Sequence, residues 1–448
     1  MSRATMIAMM ALTLVGATAR AAEAPAAAAD PAPVTDGDMT VGWVHGMQIL
    51  VKRVPNAEWV AGQLYIKGGA RNWTKADAGI ERLALAASAA GGTEKLDKEA
   101  FSRRLTKLGS ELRAHSNEDF SVLESKSLRD QWDETFALLS EAFLHPALPA
   151  SEIELQRQRQ LSELKHEEDV PDLRLRVLSH QLIYQNHPYQ YRAIGTTESV
   201  SKLNAQQLRA HLGKLRESGR LLLVVVGEVD AAHVIEQARA AFGGLPRGAW
   251  RELPLPALTV AGPRLNAVQK KLATNYILSV FLGPTWRDKE YATALVAMDV
   301  LHFREFLEVR TKRNLSYAPS ADFNSRSAVP WGILYVTAVD PTATMKVMLD
   351  EAARLAREPL ADDELAGNKS VFLSRYLMSA ETTDGQASLL AQMQLYAGDW
   401  RQARTLPDRI RTVTSADVQA FAKKYMHKLQ TVYLGDASKI DKKLFDAL

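Results

Sequence analysis

The chain has 448 residues, of which 46% are hydrophobic, and it contains no cysteine. This length predicts two or three domains with sizeable cores, and the lack of cysteine excludes disulfides and thiolate metal sites. Lysine and arginine total 55 against 52 acidic residues, so the formal net charge is only +3. This balance gives no reason to expect a nucleic-acid or anionic-membrane partner.

The N-terminus predicts a signal peptide over residues 1–22. Arg3 supplies a short positive region, residues 6–17 form a nearly uninterrupted apolar run, and small residues at 19–22 suit cleavage. Since the run is too short to remain as a membrane span, we expect cleavage and no membrane insertion of the mature chain. Residues 23–39, rich in alanine and proline, predict a disordered spacer. We therefore expect a periplasmic or secreted protein.

Residues 40–242 predict a first domain of mixed strands and helices. Apolar patterning predicts strands at 47–54, 59–66 and within 111–127, and a buried strand at 221–226 that ends at Gly227. Helical spacing predicts helices at 77–90, 98–108, 130–142 and 204–215. A long polar helix should run from 150 to 165, with Ser151 as its N-cap.

The second domain, predicted at residues 264–448, repeats the end of the first. The helix and strand between Ser415 and Gly435 mirror those between Asn204 and Gly227. Residues 243–263, rich in glycine and proline, predict an extended linker between the two. A helix and strand that recur at this distance indicate a duplicated domain rather than a short-period solenoid. The predicted fold class is therefore α+β.

The helix around residues 79–86 looks like a zinc-binding helix from which the metal ligands are missing. In the motif H-x-x-E-H, two histidines on one helix face bind zinc and the glutamate acts as general base. Here those positions read Arg82, Leu85 and Ala86, none of which can bind zinc. The other histidines form no i, i+4 pair, and we interpret the acidic cluster around His166 as a charged helix end. We therefore expect no metal in this chain.

The order of several short motifs resembles the insulinase and pitrilysin-like metallopeptidase family, M16, in its two-domain bacterial form. The matching pieces lie at residues 67–72, 79–80, 91–93, 186–189, 195–198 and 309–317. The resemblance implies two homologous α/β-sandwich domains of the mitochondrial processing peptidase-like metallohydrolase fold. The linker would join them in a clamshell arrangement.

The resemblance also assigns candidate site residues. It places Arg82, Leu85 and Ala86 at the family's two histidines and general base, and Glu163 at its third zinc ligand. Arg310 and Tyr317 match an arginine and a tyrosine that the family's C-terminal domain presents toward the zinc domain. There the phenol stabilises the developing oxyanion and the guanidinium holds the substrate backbone. Without the resemblance, Glu163 would be a solvated charge, Arg310 a helix cap and Tyr317 a half-buried strand residue.

The resemblance implies a non-catalytic subunit of a heterodimeric zinc peptidase. Such a subunit binds peptides and supplies Arg310 and Tyr317 in trans to an M16 partner that carries H-x-x-E-H and the zinc. The alternative is a peptide-binding or structural scaffold with no role in proteolysis. A third reading, an independent peptidase with an unfamiliar metal site, has only Glu163 and the cluster around His166 as possible ligands.

Overall fold

The computed structural model describes residues 30–445, so the predicted signal peptide and the first part of the predicted spacer lie outside the described residues. The end of the predicted spacer is not disordered. Strand β1 (Val34–Asp36) pairs antiparallel with β2 (Met39–Val44). The local sequence did not predict this strand, because its side chains are exposed and form no apolar pattern. It is held instead by hydrogen bonds to β2.

The first half of the described chain, residues 30–242, folds around one seven-stranded sheet in the order β1-β2-β3-β7-β4-β6-β5. Only β3 and β7 run parallel among its adjacent pairs. The further strands are β3 (Met47–Arg53), β4 (Trp59–Lys67), β5 (Glu111–Ser116), β6 (Phe120–Leu128) and β7 (Leu221–Gly227). The helices are α1 (Ile80–Ala90), α2 (Lys98–Lys107), α3 (Trp132–Leu144), α4 (Ala150–Asp169), α5 (Pro171–Ile183), α6 (Thr197–Lys202), α7 (Ala205–Leu215) and α8 (Ala231–Phe242).

The second half, residues 264–445, contains a five-stranded sheet in the order β10-β11-β9-β12-β8. Its strands are β8 (Arg264–Gln269), β9 (Asn275–Leu282), β10 (Ser320–Asn324), β11 (Trp331–Ala338) and β12 (Gln430–Gly435). Its α-helices are α9 (Tyr291–Glu305), α10 (Pro341–Arg357), α11 (Asp362–Ser379), α12 (Thr383–Gln392), α13 (Gln402–Thr412) and α14 (Ser415–Tyr425). No helix or strand lies in residues 243–263, between α8 and β8.

The two sheets share one topology. The order β3-β7-β4-β6-β5 of the first half corresponds strand by strand to β8-β12-β9-β11-β10 of the second, and β12 and β8 form the matching parallel pair. The helices that precede the central strands, α7 and α14, both begin with a capping box, at Asn204 and Thr414. The predicted duplicated α+β fold is therefore confirmed.

Each half contributes a helix to the sheet of the other. Helix α12 packs on β4 and β7 of the first sheet, where its Leu390 joins Leu222 and Val224 in one apolar cluster. Helix α5 packs on β9 and β12 of the second sheet, where Leu175 contacts the cluster that contains Leu278. The halves are thus held by two apolar contacts as well as by the covalent linker. No helix within residues 30–445 is both long enough and apolar enough to cross a membrane.

Candidate functional site

Helix α1 is fixed in place by its N-terminal glycine and its apolar face. Gly79 has φ +91, a left-handed conformation that favours glycine, and a Cβ there would lie 2.8 Å from Val200 Cγ2. The predicted start of this helix at 77 is therefore three residues early. Leu83 and Leu85 are fully buried against the sheet, whereas Arg82 and Ala86 lie on the half-buried side. Leu85, which stands where the H-x-x-E-H motif has its glutamate, thus belongs to the apolar core.

Arg82 and Glu163 form an ion pair between α1 and α4. The distance from Arg82 Nη2 to Glu163 Oε2 is 2.5 Å. Glu163 is therefore neither a free surface charge nor an unoccupied ligand, because its carboxylate already holds a guanidinium cation. Helix α4 itself begins at Ala150 with Pro149 at the cap position, so the prediction of Ser151 as N-cap was wrong by two residues.

Glu81, next to Arg82, is buried, and the sequence did not predict a role for it. Glu81 Oε2 accepts a hydrogen bond from Trp73 Nε1 at 2.9 Å, and Glu81 Oε1 accepts one from Ser121 Oγ at 2.5 Å. His211 Nε2 lies 3.2 Å from Glu81 Oε2. These three partners come from the loop before α1, from β6 and from α7. The carboxylate thus ties α1 to its surroundings. Its position as a glutamate at the start of a largely apolar helix was the only signal in the sequence.

Strand β5 runs along α1 and forms the edge of the first sheet. Its outward side chains, Glu111, Arg113 and His115, alternate with half-buried Leu112 and Ala114. Because β5 is the terminal strand, one side of its backbone has no strand partner within residues 30–445. This free edge lies beside the helix that carries Arg82.

His115 brings a further titratable group to this edge. Its Nε2 lies 3.1 Å from Glu124 Oε1 on β6, and this hydrogen bond raises the pKa of His115. Burial lowers the same pKa, and so do the positive charges of Arg82 and Arg113. The surface around Arg82 therefore combines cations and carboxylates in near balance.

Within residues 30–445, no group of three or more histidine, aspartate or glutamate side chains is placed to hold a metal ion. The cluster around His166 is no exception. Its Glu167 pairs with Arg192 and its Glu168 pairs with Arg174 at 2.5 Å. The two glutamates at the end of α4 thus form ion pairs with arginines, as is typical of a charged helix end.

Arg310 and Tyr317 meet on the surface of the second half. A π-helix (Phe306–Thr311) continues α9 and carries Arg310, and Asn314, at φ +50, reverses the chain. The Arg310 guanidinium carbon lies 4.1 Å from the centroid of the Tyr317 ring and 4.8 Å from that of Phe306. Tyr317 is 77% exposed, so it is not a half-buried strand residue. Arg310 thus lies on the π-helix at the end of α9.

The structure thus forms two separate pairs from the candidate residues. Arg82 joins Glu163 in the first half, and Arg310 joins Tyr317 in the second half. Within the described part of the chain, no hydrogen bond, ion pair or ring contact links one pair to the other, and Arg310 has no ion pair with a carboxylate. The phenol of Tyr317 is therefore exposed, and the guanidinium of Arg310 lies half-buried beside it.

Comparison with known proteins agrees with this fold and with its duplication. The family model described as Insulinase (Peptidase family M16) matches residues 48–197, and that described as Peptidase M16 inactive domain matches residues 202–372. An uncharacterized zinc protease of Rickettsia felis is 21% identical over 86% of this chain and 94% of its own length. The mitochondrial-processing peptidase subunit beta of Saccharomyces cerevisiae is 20% identical over 90% and 92%.

Solved structures share the architecture as well. A peptidase M16 inactive domain from Pseudomonas fluorescens superposes with a TM-score of 0.80 at 19% identity, covering 89% of this chain and 98% of that one. Together the two family models cover most of the chain, in the order in which the two halves follow each other. This chain belongs to peptidase family M16.

Proposed function

We propose that this chain is the non-catalytic subunit of an exported, two-chain M16 zinc peptidase. It binds peptide substrate and supplies Arg310 and Tyr317 in trans to a partner that bears H-x-x-E-H and the zinc. The exported location rests on the composition of residues 1–22, and a fractionation experiment with the tagged full-length chain tests it. Recovery from the periplasm or medium supports export, and recovery from the cytoplasm contradicts it.

The observation that carries the proposal is the contrast between the two pairs. In the first half, Arg82, Leu85 and Ala86 stand at the positions of the family's two histidines and general base. The family's third-ligand carboxylate, Glu163, forms an ion pair with Arg82. In the second half, the family arginine and tyrosine are present and stacked, with Tyr317 exposed and Arg310 half-buried. A chain with this distribution can donate hydrogen bonds to a reacting carbonyl but cannot activate a water by the M16 mechanism.

The stacked pair is suited to this role. A phenol donates one hydrogen bond, and a guanidinium donates several from a rigid plane. The ring of Tyr317 restricts Arg310 through the cation–π contact, so both donors are partly ordered before substrate arrives. Arg310 has no carboxylate partner among the described residues, which leaves its charge available for an anionic or carbonyl oxygen.

The edge strand β5 supports peptide binding. An extended peptide can add to an exposed sheet edge through main-chain hydrogen bonds, and side-chain contacts then provide selectivity. The outward residues Arg113 and His115 and the nearby Arg82 would face such a peptide. Peptide binding requires no metal, so this surface fits both the accessory subunit and the scaffold alternative.

The scaffold alternative differs in what Arg310 and Tyr317 do. In a structural subunit without a role in proteolysis, the pair would form packing contacts with a neighbouring protein. The apolar side chains Phe303, Phe306 and Leu307, which are partly exposed beside Arg310, would favour such a contact. The two functions therefore make opposite predictions for catalysis.

Reconstituted peptide hydrolysis separates them. The mature chain, an M16 partner with an intact H-x-x-E-H motif, and their mixture are assayed on the same set of fluorogenic peptides. We expect activity in the mixture alone. Replacing Arg310 with Ala should then raise KM or lower kcat/KM by about 10-fold or more, because a hydrogen bond to a charged donor is lost. Activity of the partner that does not respond to this chain would favour the scaffold.

A matched arginine controls for general effects on the chain. Arg313, three residues away, is exposed and pairs with Glu308 instead of an aromatic ring. The Arg313→Ala variant should leave kcat/KM unchanged. Equal losses in both arginine variants would attribute the effect to folding or subunit association and would remove the support for a role of Arg310 in substrate binding.

A further inference from the structure

A cavity of about 570 Å³ lies where the two halves and the linker meet. The first half contributes the end of β4 and the loop after it, the linker contributes residues 250–255, and the second half contributes residues 285–287 and 394–398. None of the four residues of the two pairs described above lines this cavity. It is therefore a separate candidate site.

The charges in the cavity are not balanced. Among the described residues that line it, Lys67, Arg71 and Arg287 are cationic, whereas Asp119 and Glu252 are acidic. Arg71 uses both acids: its Nη1 lies 3.1 Å from Asp119 Oδ1, and its Nη2 contacts Glu252. Lys67 and Arg287 make no ion pair or side-chain hydrogen bond with any described residue.

The two unpaired cations differ in their surroundings. Arg287 is exposed at the rim, where its guanidinium would lie 3.4 Å from a Cβ placed on Gly398. Lys67 is half-buried, and this burial lowers the pKa of its ammonium group, although the charge of Glu252 acts in the opposite direction. A partly buried cation without a partner is costly, and an anion placed beside it removes that cost.

The rest of the lining is aromatic and apolar. Trp286 stacks on Tyr396 with ring centroids 5.5 Å apart, and Phe120, Trp250 and Leu253 complete the walls. Pockets of this size that combine such walls with a few charged groups are typical of sites for small amphipathic molecules. The ligand should therefore carry one anionic group and one apolar group.

We propose that this cavity binds a small carboxylate with an apolar side group, its carboxylate lying near Lys67 and Arg287. Two sources share this chemistry, namely the C-terminal residue of a peptide and a free organic acid. The bound molecule touches both halves and the linker. The inference goes beyond the role in proteolysis and does not depend on it, because the site can be tested on the isolated chain.

Calorimetric titration of the mature chain tests this site with three probes. N-acetylphenylalanine represents a peptide C-terminus, 3-phenylpropionate represents a free organic acid, and N-acetylphenylalaninamide lacks the charge. We expect the two acids to bind and the amide to bind at least about 10-fold more weakly, because charge-assisted hydrogen bonds are lost. A preference for the acetylated amino acid assigns the site to peptide C-termini, and a preference for phenylpropionate assigns it to organic acids. Equal affinity for acid and amide, or no binding at millimolar concentrations, would overturn the proposal.

Substitutions then locate the site. Lys67→Met should weaken binding of the acids by about 10-fold or more, and Lys75→Met, which alters an exposed lysine outside the cavity, should not change it. If Lys67→Met does not fold, the exposed Arg287→Gln carries the test, with Arg103→Gln as its control. Binding that is unaffected by both cavity variants would place the acids elsewhere and refute the assignment.

Discussion

At the scale of single residues, the first half is held by a glutamate that no family motif predicts. Glu81 is buried, and its carboxylate has three polar partners from three elements. Replacing Glu81 with Ala leaves Trp73 Nε1 and the Ser121 hydroxyl without this acceptor. We expect a loss of about 3 to 5 kcal/mol in the free energy of unfolding, measured by urea denaturation.

Glu163→Ala is the matched control for that prediction. This residue lies on the neighbouring helix α4, and its ion pair with Arg82 is solvent-exposed in part. Such pairs contribute about 0 to 1 kcal/mol, so the variant should unfold close to the original urea concentration. A loss for Glu163→Ala as large as that for Glu81→Ala would show that the buried carboxylate contributes no more than the surface pair and would contradict this account.

Glu305 makes the stability of the second half depend on pH. It is fully buried at the end of α9, neither carboxylate oxygen has a hydrogen-bond partner among the described residues, and burial raises its pKa well above the usual value. Asp322 and Glu351 raise this pKa further. The folded protein therefore keeps the proton of Glu305 to a higher pH than the unfolded chain does, and this group's stabilising effect is lost as pH rises from the unfolded toward the folded pKa.

The Glu305→Gln variant isolates this effect. Glutamine stays neutral, so the variant should match the parent near pH 4 and exceed it in stability at pH 8. Urea denaturation at both pH values measures the difference. Glu358→Gln is the control, because Glu358 is exposed and its hydrogen bond from Arg354 lowers its pKa instead. Parallel pH profiles for Glu305→Gln and the parent would contradict the account.

At the scale of elements, the segment between α9 and β10 positions the pair of Arg310 and Tyr317. The π-helix turns Arg310 toward the ring of Phe306, and the left-handed Asn314 turns the chain so that Tyr317 returns to Arg310. π-helical turns often occur at functional sites. The geometry of the pair thus depends on backbone features rather than on a direct hydrogen bond between its members.

Asn314 provides a test of this dependence. A β-branched residue at φ +50 is strained, so Asn314→Val should destabilise the chain by about 1 to 2 kcal/mol and lower the activity of the reconstituted mixture. Asn314→Gly adopts the same conformation without strain and should preserve both properties. Stability follows from urea denaturation, and activity from the peptide assay. Full activity of Asn314→Val would show that the turn does not position Tyr317.

The sequence predicted those elements whose signal is local. Apolar periodicity located β3, β4, α3 and α7 within a few residues, and the recurrence around Gly227 and Gly435 predicted the duplicated topology that the two strand orders confirm. The resemblance matched Glu163 to a ligand position, and the structure pairs this residue with Arg82. These inferences needed only the register of one element or the order of motifs.

Long-range features could not be predicted in this way. Strand β1 exists through its pairing with β2, and the partners of Glu81 come from residues 73, 121 and 211. The π-helix after α9 has the composition of an ordinary helix end. The cavity charges become informative only when three distant segments meet. In each case the determining contact lies outside the local sequence window.

At the scale of the whole molecule, the chain is two copies of one fold with different surfaces. The reciprocal packing of α5 and α12 joins the copies into one body, and the cavity with Lys67 lies at their junction. The first copy presents the neutralised Arg82 and Glu163 pair beside a free sheet edge, and the second presents Arg310 and Tyr317. This division fits the proposed accessory subunit, whose Arg310 and Tyr317 would act at a zinc site on another chain.

The most direct test of that claim is kcat for peptide hydrolysis by the reconstituted mixture with Tyr317→Phe. Removal of one hydroxyl that donates to the oxyanion should lower kcat by about 100-fold or more, while the bound substrate loses little else. Tyr425→Phe, on α14 and away from the pair, should leave kcat unchanged. An unchanged kcat for Tyr317→Phe would contradict the catalytic role in trans and would leave the chain as a peptide-binding or structural subunit.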